Sequence, residues 1–323
     1  MVEPSGFVVV CAHFYPVIDA RIEGQYVAFR RQLVALGIPI ITMAVGEHYA
    51  AWRERYPEVV VVPGDLAFQK ERLWTLGARR AFAAGHAHVL CVDADVVFLS
   101  GDWRRHIADA LATHDVVHPF ETMVHRYADT TFWCRCALDR SMTLGTRVPL
   151  RARAAKAYWD FVVRTFSVGR AVGFGVAFNR RFFDDIGLYQ HAIVGGGDRL
   201  LWDTLLRYLP ERDPARRRSL LRQRLRASRY PDNAALIDDV ARWVDAAAER
   251  CAGLRVGFAR DVHATALPYG QLSKRAYFDR YALLAGFDPA RDLRPSDDTG
   301  LVFTPEADPL REAVAGYLRT RNA

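Results

Sequence analysis

Apolar runs alternate with helix-patterned stretches over the first 120 residues of the chain. The run FVVVCAHFYP begins at Phe7 and is followed by EGQYVAFRRQLVALG, in which apolar residues recur at helical spacing, and by a second run, IPIITMAVG. The run VVVV (Val59 to Val62) precedes another helical pattern that ends near Gly85. Continuous apolar runs are typical of strands buried on both faces. The alternation predicts an α/β fold with a Rossmann-type, mainly parallel sheet flanked by helices.

The pattern beyond residue 120 is less regular. DVVHPFE predicts a strand, GFGVAFNRRFFDDIGLY a glycine turn followed by a short strand and a helix, and IVGGGDRLLWDTLLRYL a glycine loop that enters a helix. LRVGFARDVHATAL predicts one last strand, and KRAYFDRYALLAG a closing helix. We therefore expect a single domain divided into residues 1–120, 121–205, a helical insertion at 206–250, and 251–323.

Length and composition are those of a globular chain. Its 323 residues are 51% hydrophobic, which is enough for a full core. The first residues lack the pattern of a signal peptide, and no apolar run approaches the roughly 20 residues of a membrane helix. We expect a cytoplasmic protein without a transmembrane segment. The five scattered cysteines fit reduced thiols better than a disulfide framework.

The net charge of +7 is compatible with an anionic partner, such as a nucleotide, a nucleic acid or a membrane surface, but composition weakens that inference because nearly all of the positive charge is arginine. The densest basic run is RRRSLLRQRLRASR, Arg216 to Arg229, in which leucines recur at helical spacing. Most such runs are solvated helix faces. This run has few aromatic residues and no known reading motif, so specific nucleic-acid recognition is unsupported, although a nucleic acid stays open as an acceptor.

Two acids interrupt the apolar stretch VLCVDADVVFLSGDW, Val89 to Trp103. Asp93 and Asp95 lie late in the run, and residues i and i+2 of a strand share one face. In open α/β sheets, ligands bind beyond the carboxyl ends of the strands. Mg²⁺ and Mn²⁺ prefer carboxylate oxygens and are commonly completed by substrate phosphates. The pair therefore predicts a metal site for a diphosphate, with helix capping or pairing to arginine as the plain alternative.

An ordered series of motifs resembles the GT-A superfamily of metal-dependent, nucleotide-sugar-using glycosyltransferases, in particular its galactosyltransferase-like members. The motifs are HFYP, QKERLWTLGARRA, VLCVDADVVFL, GFGVAFNRRFFDDIGLY and IVGGGDRLLW, and the resemblance extends through His263 to RAYFDRYALLAGFDP. It implies that residues 1–120 bind the nucleotide sugar and 121–205 form the acceptor and catalytic half. The implied reaction transfers a sugar from a nucleotide-diphosphate donor, with a UDP-sugar expected, to a hydroxyl acceptor.

The resemblance assigns roles to four residues. Asp93 would contact the ribose, or the metal through water, while Asp95 and His263 would bind Mn²⁺ or Mg²⁺ directly. Asp198, in GGGD, resembles the acid that deprotonates the acceptor in inverting enzymes, although an acid at a helix start is also what capping selects. A retaining course stays open.

Further donor contacts are expected from His13, Tyr15, Lys70, Arg72, Gly173, Gly175, Gly196 and Gly197. Lys70 and Arg72 would approach the diphosphate, but the letters KER in a helix more often mark an exposed face. His13 and Tyr15 would stack on or bond the base, with core packing as the alternative. The glycines would let the backbone approach the sugar closely.

Two short motifs also match the HAD phosphatase superfamily. VDADVV fits its D-x-D-x-[TV] pattern, with Asp93 as nucleophile and Asp95 as general acid, and Gly197, Asp198 and Asp203 fit its later acids. In that superfamily the nucleophile strand normally opens the catalytic domain, whereas here a βαβ unit and a further strand and helix come first. Motif order therefore favours the transferase, with the phosphatase and a non-enzymatic nucleic-acid binder as alternatives.

Overall fold

The computed structural model describes residues 7–126, 131–136, 170–171, 173–268, 275–276 and 279–321. Its strands are β1 (Val8–His13), β2 (Ile40–Val45), β3 (Val59–Val62), β4 (His88–Val92), β5 (Val96–Phe98), β6 (Val116–His118), β7 (Thr122–Arg126), β8 (Thr131–Cys136), β9 (Arg170–Ala171), β10 (Gly175–Asn179), β11 (Val256–Phe258) and β12 (His263–Ala266). Its α-helices are α1 (Ala20–Ala35), α2 (Ala50–Arg55), α3 (Lys70–Ala83), α4 (Trp103–Thr113), α5 (Arg180–Asp185), α6 (Gly197–Asp203), α7 (Pro214–Ala227), α8 (Ala234–Arg250), α9 (Pro289–Asp292) and α10 (Asp308–Arg321).

The main sheet has seven strands in the order β11-β6-β10-β4-β1-β2-β3. β1 pairs in parallel with β2 and β4, β2 pairs in parallel with β3, and β11 pairs in parallel with β6. β10 runs antiparallel between β4 and β6. The prediction of an α/β fold with a mainly parallel sheet flanked by helices is therefore confirmed.

The central strand explains why the apolar runs are continuous. Val9 and Cys11 of β1 pack in one core cluster with the buried face of α1, whereas Val8 and Val10 pack in another with α3. All four side chains are fully buried. Because successive side chains of a strand point to opposite faces, a strand covered on both sides needs an apolar residue at every position.

A second sheet has five strands in the order β5-β12-β7-β8-β9. The stretch LRVGFARDVHATAL, predicted as one last strand, contributes β11 to the main sheet and β12 to the second sheet. That prediction is wrong because the chain turns between the two strands, with Asp261 in the left-handed region at φ +59°. A short connection of this kind therefore links a strand of the main sheet to a strand of the second sheet.

Helices dominate the segment between α6 and β11, as predicted for residues 206–250. A π-helical turn, Thr204–Tyr208, continues α6, and α7 and α8 follow. The predicted closing helix appears in the described part of the chain as a 3₁₀-helix, Asp279–Leu284, and its first residues lie partly outside the described ranges. Within those ranges, no helix has both the length and the apolar character needed to cross a membrane.

Candidate active site

The two acids of the D-x-D motif lie in the turn that links the two sheets. β4 ends at Val92 in the main sheet, and β5 begins at Val96 in the second. The Asp93 amide donates to the carbonyl of Phe174 (2.9 Å), and the Asp95 carbonyl accepts from the amide of Leu267 (2.7 Å). The expectation that both acids share one face of a single strand is therefore wrong. The turn leaves the Asp93 side chain 25% exposed, while Asp95 is buried.

Lys70 joins the D-x-D turn to the glycine loop. Its Nζ lies 3.3 Å from Asp93 Oδ1 and 3.2 Å from Asp198 Oδ2, and 4.7 Å from the centre of the Trp74 ring. The side chain is only 7% exposed, so the alternative of a solvent-exposed helix face does not hold for Lys70. Burial lowers the pKa of Lys70, but the carboxylates of Asp198 and Asp93 outweigh that effect and hold it well above its ordinary value.

A cation at this position is unfavourable without those carboxylates. Lys70 is the first residue of α3, where the helix dipole places positive charge. It is also buried, which penalises an unpaired ammonium group. The two aspartates stabilise a charge that would be unfavourable at this helix start without them.

Asp198 is positioned by the glycine loop that precedes it. Gly196 has φ +100°, a left-handed conformation that favours glycine, and α6 begins at the next residue. Asp198 is the second residue of the helix and not its N-cap; its Oδ1 accepts from the amide of Arg199 (2.7 Å). Its Oδ2 faces Gly173, where a Cβ would lie 2.9 Å away. Two residues predicted for the site, Gly173 and Asp198, are thus in contact.

Protein side chains occupy the space beside the other two loop glycines. A Cβ on Gly196 would lie 2.6 Å from the Tyr281 hydroxyl and 2.9 Å from the Tyr230 hydroxyl. A Cβ on Gly197 would approach the Glu71 carboxyl carbon to 2.4 Å. The space beside Gly196 and Gly197, which was expected to receive the sugar, is therefore occupied by the side chains of Tyr230, Tyr281 and Glu71.

Glu71 is a site residue that the sequence reasoning missed. It is 2% exposed, and neither of its carboxylate oxygens has a hydrogen-bond partner within the described residues. Burial raises the pKa of Glu71 to about 7; Lys70 opposes this shift, and Asp198 adds to it. The letters KER suggested an exposed helix face, and only the packing of α6 against α3 buries this carboxyl group.

Arg72 is bound away from the cluster formed by Lys70, Asp93 and Asp198. Its guanidinium group donates to the carbonyls of Thr299 (2.9 Å) and Ser296 (2.6 Å) and to Oε1 of Gln190 (2.8 Å). These bonds tie α3 to the loop before α10. The expected contact of Arg72 with a diphosphate is therefore corrected to a structural role.

The loop GFG carries backbone strain beside Asp93. Phe174 has φ +73°, which is rare for a residue with a side chain, and its carbonyl holds the Asp93 amide. Gly175 lies in β10, where a Cβ would come within 2.9 Å of the Cys91 carbonyl and 3.0 Å of Pro119 Cγ. Gly175 thus permits close strand packing and does not line the donor pocket that was expected of it.

His13 and Tyr15 differ in their surroundings. The His13 ring lies 5.1 Å from Tyr26 and 5.0 Å from Trp52, and burial lowers the pKa of His13 to about 3, so the ring is neutral. It packs in the core, as the alternative interpretation expected. Tyr15 is half-buried; burial and then the charge of Asp95 raise its pKa to about 12. Tyr15 therefore lies within electrostatic reach of the D-x-D turn.

The strand register separates His263 from the acidic pair. The Leu99 amide donates to the His263 carbonyl, and the Leu267 amide donates to the Asp95 carbonyl, each at 2.7 Å. Residues 263 and 267 are four positions apart on one chain, which is about 13 Å in an extended strand. His263 is exposed, and its Nδ1 lies 2.7 Å from Thr122 Oγ1. It cannot share a metal ion with Asp95 in this arrangement.

Asp93 and Asp95 fit a magnesium or manganese ion by the chemistry of their donor atoms. Such ions are commonly held by one or two carboxylates together with substrate phosphates. A complete protein-only site is not present: among the described residues, no group of three or more His, Cys, Asp or Glu side chains is arranged to bind a metal. The two aspartates would therefore form half of a site that a phosphate-bearing ligand completes.

Arginines of the basic run are engaged in ion pairs within the helical segment. Arg217 and Arg218 each lie 2.9 Å from Asp245 of α8. Arg224 lies 3.0 Å from Asp203 of α6, which Arg207 also contacts at 2.9 Å. These contacts favour the interpretation of this run as an ordinary helix face and not as a nucleic-acid-binding surface, because its arginines form ion pairs that hold α6, α7 and α8 together.

The chain is similar to two solved enzymes of sugar metabolism, at low identity. Mannose-1-phosphate geranyltransferase from Thermus thermophilus is 14% identical over 81% of this chain and 74% of its own, with a TM-score of 0.33. Mannosyl-3-phosphoglycerate synthase from Rubrobacter xylanophilus is 12% identical over 93% of this chain and 86% of its own, with a TM-score of 0.35. No protein-family model and no curated protein matches the sequence. Structural similarity at these TM-scores does not indicate a function for this chain.

Proposed function

We propose that the protein is a glycosyltransferase that moves a sugar from a nucleotide-diphosphate donor, with a UDP-sugar expected, to a hydroxyl acceptor. The observation that carries this proposal is the meeting of the D-x-D turn and the glycine loop at one ammonium group, with Lys70 Nζ 3.3 Å from Asp93 and 3.2 Å from Asp198. Motifs far apart in the sequence are thereby joined where a diphosphate and an acceptor would meet. The resemblance to GT-A enzymes rests on these same motifs.

Asp198 is the proposed general base. Its side chain is 27% exposed, so an acceptor hydroxyl can approach it, and the neighbouring ammonium group stabilises its ionised form. In the proposed reaction the acceptor O–H proton passes to a carboxylate oxygen of Asp198. The acceptor oxygen bonds to the anomeric carbon while the bond from that carbon to the diphosphate breaks, which gives inversion. A product with retained configuration would exclude this role for Asp198.

Asp93 and Asp95 would hold Mn²⁺ or Mg²⁺ at the diphosphate. When bound, the metal would stabilise the negative charge of the leaving group. Lys70 contributes a fixed positive charge beside Asp93, and the charge of Asp95 acts on Tyr15. Because His263 lies four residues along the chain from Leu267, whose amide binds the Asp95 carbonyl, we expect the remaining ligands of the ion to be oxygens of the donor.

The phosphatase alternative needs Asp203 at the reacting centre together with Asp93. Asp203 is instead bound by the guanidinium groups of Arg207 and Arg224, at 2.9 and 3.0 Å. Asp93 also follows the fourth strand of the chain and not the first. These two observations weigh for the transferase, and the engaged arginines of α7 weigh against a nucleic-acid binder.

A thermal-shift screen tests the proposal. A ligand that binds only the folded protein raises the unfolding midpoint by mass action. We expect UDP or UDP-sugars to raise it in the presence of Mn²⁺ and much less without the metal. The variant Asp95→Asn should lose this response, whereas Asp109→Asn, on the exposed face of α4, should keep it. Stabilisation by a phosphate mimic such as beryllium fluoride, with none by nucleotides, would point to the phosphatase.

A further inference from the structure

Glu71 is a buried acid whose carboxyl group is not stabilised by side-chain hydrogen bonds among the described residues. Both of its carboxylate oxygens are inaccessible, and neither has a hydrogen-bond partner among the described residues. An ionised carboxylate in such a place is costly, because it loses its hydration without gaining donors. A protonated carboxyl group avoids most of that cost. The geometry of the site therefore favours a proton on Glu71.

The position of Glu71 links it to the proposed base. Its carboxyl group lies against Gly197, the residue directly before Asp198, at a distance that leaves no room for a Cβ. A glycine at this point of α6 is what allows the carboxyl group to sit there. The charge of Lys70, which pairs with Asp198, also acts on Glu71.

The charges that face Glu71 come from three elements. Lys70 belongs to the same helix, Asp198 to α6, and Asp93 to the turn after β4. The ammonium group of Lys70 pairs with two of these carboxyl groups, Asp93 and Asp198, at 3.3 and 3.2 Å, and makes no ion pair with Glu71 among the described residues. The negative charge of a neighbouring carboxylate disfavours ionisation of Glu71.

We propose that Glu71 is held protonated beside Asp198, so that the two carboxyl groups form a coupled pair in which Glu71 responds to the loss of the charge on Asp198. The catalytic consequence rests on the proposed function. When the acceptor O–H bond breaks and its proton bonds to Asp198, the negative charge facing Glu71 disappears, and Glu71 becomes more acidic. Glu71 is a positioning residue in this scheme, because its buried oxygens act through Asp198.

The coupling can be tested without any substrate. The stability of wild type and Glu71→Gln is measured by chemical denaturation between pH 5 and pH 8, with Glu312→Gln at an exposed site as the control. Folding raises the pKa of Glu71 from its ordinary 4.5 to about 7. The stability that this acid contributes is therefore lost as pH rises through about 7. Wild type should lose stability relative to Glu71→Gln over this range, and Glu312→Gln should show no such trend.

The second arm addresses Asp198 directly. In the Asp198→Asn background the charge that disfavours ionisation of Glu71 is gone, so the same titration should move to lower pH. A constant difference between wild type and Glu71→Gln at every pH would overturn the proposal, and so would an unmoved titration in the Asp198→Asn background. ¹³C NMR of glutamate carboxyl carbons in wild type and Asp198→Asn gives the same comparison with Glu71 intact, should Glu71→Gln fail to fold.

Sugar transfer supplies a separate readout. If the protein transfers sugar, the pH profile of turnover should lose its inflection near neutrality in Glu71→Gln. Absence of any transfer would contradict the proposed function while leaving the stability and NMR results to decide the carboxyl pair.

Discussion

Asp198 combines an ion pair with Lys70 and a side chain that is partly open to solvent. One of its oxygens faces Lys70 and Gly173, the other is held by the amide of Arg199, and the side chain is 27% exposed. The carboxylate is therefore oriented on one side and available on the other. An orienting bond of this kind reduces the freedom that a base must lose before it reacts.

Replacement of Asp198 by asparagine distinguishes a catalytic base from a residue that only binds the donor. The amide side chain keeps the shape of the carboxylate but cannot accept the acceptor proton, so turnover in Asp198→Asn should fall about 10²–10⁴-fold with little change in donor affinity. Steady-state kinetics and calorimetric titration of the donor measure the two quantities. Asp109→Asn is the control. Lost donor affinity at unchanged turnover would assign Asp198 to binding.

Gly197 is required by the carboxyl group beside it. In Gly197→Ala the new Cβ would meet Glu71 at 2.4 Å, and we expect a loss of about 1–3 kcal/mol, as for other overpacked cores. Gly24→Ala is the control, since no atom lies within 4 Å of its Cβ and alanine favours helices. In Gly197→Ala/Glu71→Ala the two costs should be less than additive. Equal stability of the two single glycine variants, by urea denaturation, would disprove the close contact.

At the level of elements, the main sheet was predictable and the D-x-D turn was not. The runs of β1, β2 and β4 are apolar at almost every position because both faces of these strands are covered, and that pattern is visible in the sequence. VLCVDADVVFL is also apolar on both sides of its acids, so the end of β4 and the start of β5 look like one strand. Only the pairing of β5 with β12 shows that the chain has changed sheets.

The same limit applies to the site residues. Lys70, Asp93 and Asp198 were expected from motifs, and the fold brings them together. His263 was expected from its place after a strand, but its distance from Asp95 depends on register, which the sequence does not reveal. Glu71 was missed because burial of a charged helix residue depends on which element packs against it.

The ion pairs of Asp203 hold the helical segment to the site helix α6. Asp203 is 12% exposed and lies between Arg207 and Arg224. Arg199 also lies 3.8 Å from the Asp203 carboxylate, so Asp203→Asn leaves three guanidinium groups without it and should cost about 3 kcal/mol, as expected when a largely buried carboxylate is removed from its ion pairs. Asp238→Asn, in a 4.0 Å pair with Arg222 that is 58% exposed on both sides, should cost less than about 1 kcal/mol. Equal costs in thermal denaturation would show that the Asp203 contacts contribute nothing specific.

On the scale of the whole molecule, the cluster lies where three parts of the fold meet. α3 packs on the main sheet and supplies Lys70, the turn between the sheets supplies Asp93, and α6, which leads into the helical segment, supplies Asp198. Each part contributes one member of the Lys70, Asp93 and Asp198 ion-pair group. Relative movement of any one part would therefore change the charge balance of the others.

Acid should destabilise the whole protein through its buried histidines. Burial lowers the pKa of His13 and of His125 to about 3, so the unfolded chain takes up two protons that the folded chain refuses. The stability from these groups is present above about pH 6.5 and is lost as pH falls toward 3. In His13→Phe, which keeps an aromatic ring beside Trp52, stability should fall less between pH 7.5 and pH 5 than in wild type. His86→Gln is the control, and urea midpoints with the same pH dependence in wild type and His13→Phe would contradict a neutral, buried His13.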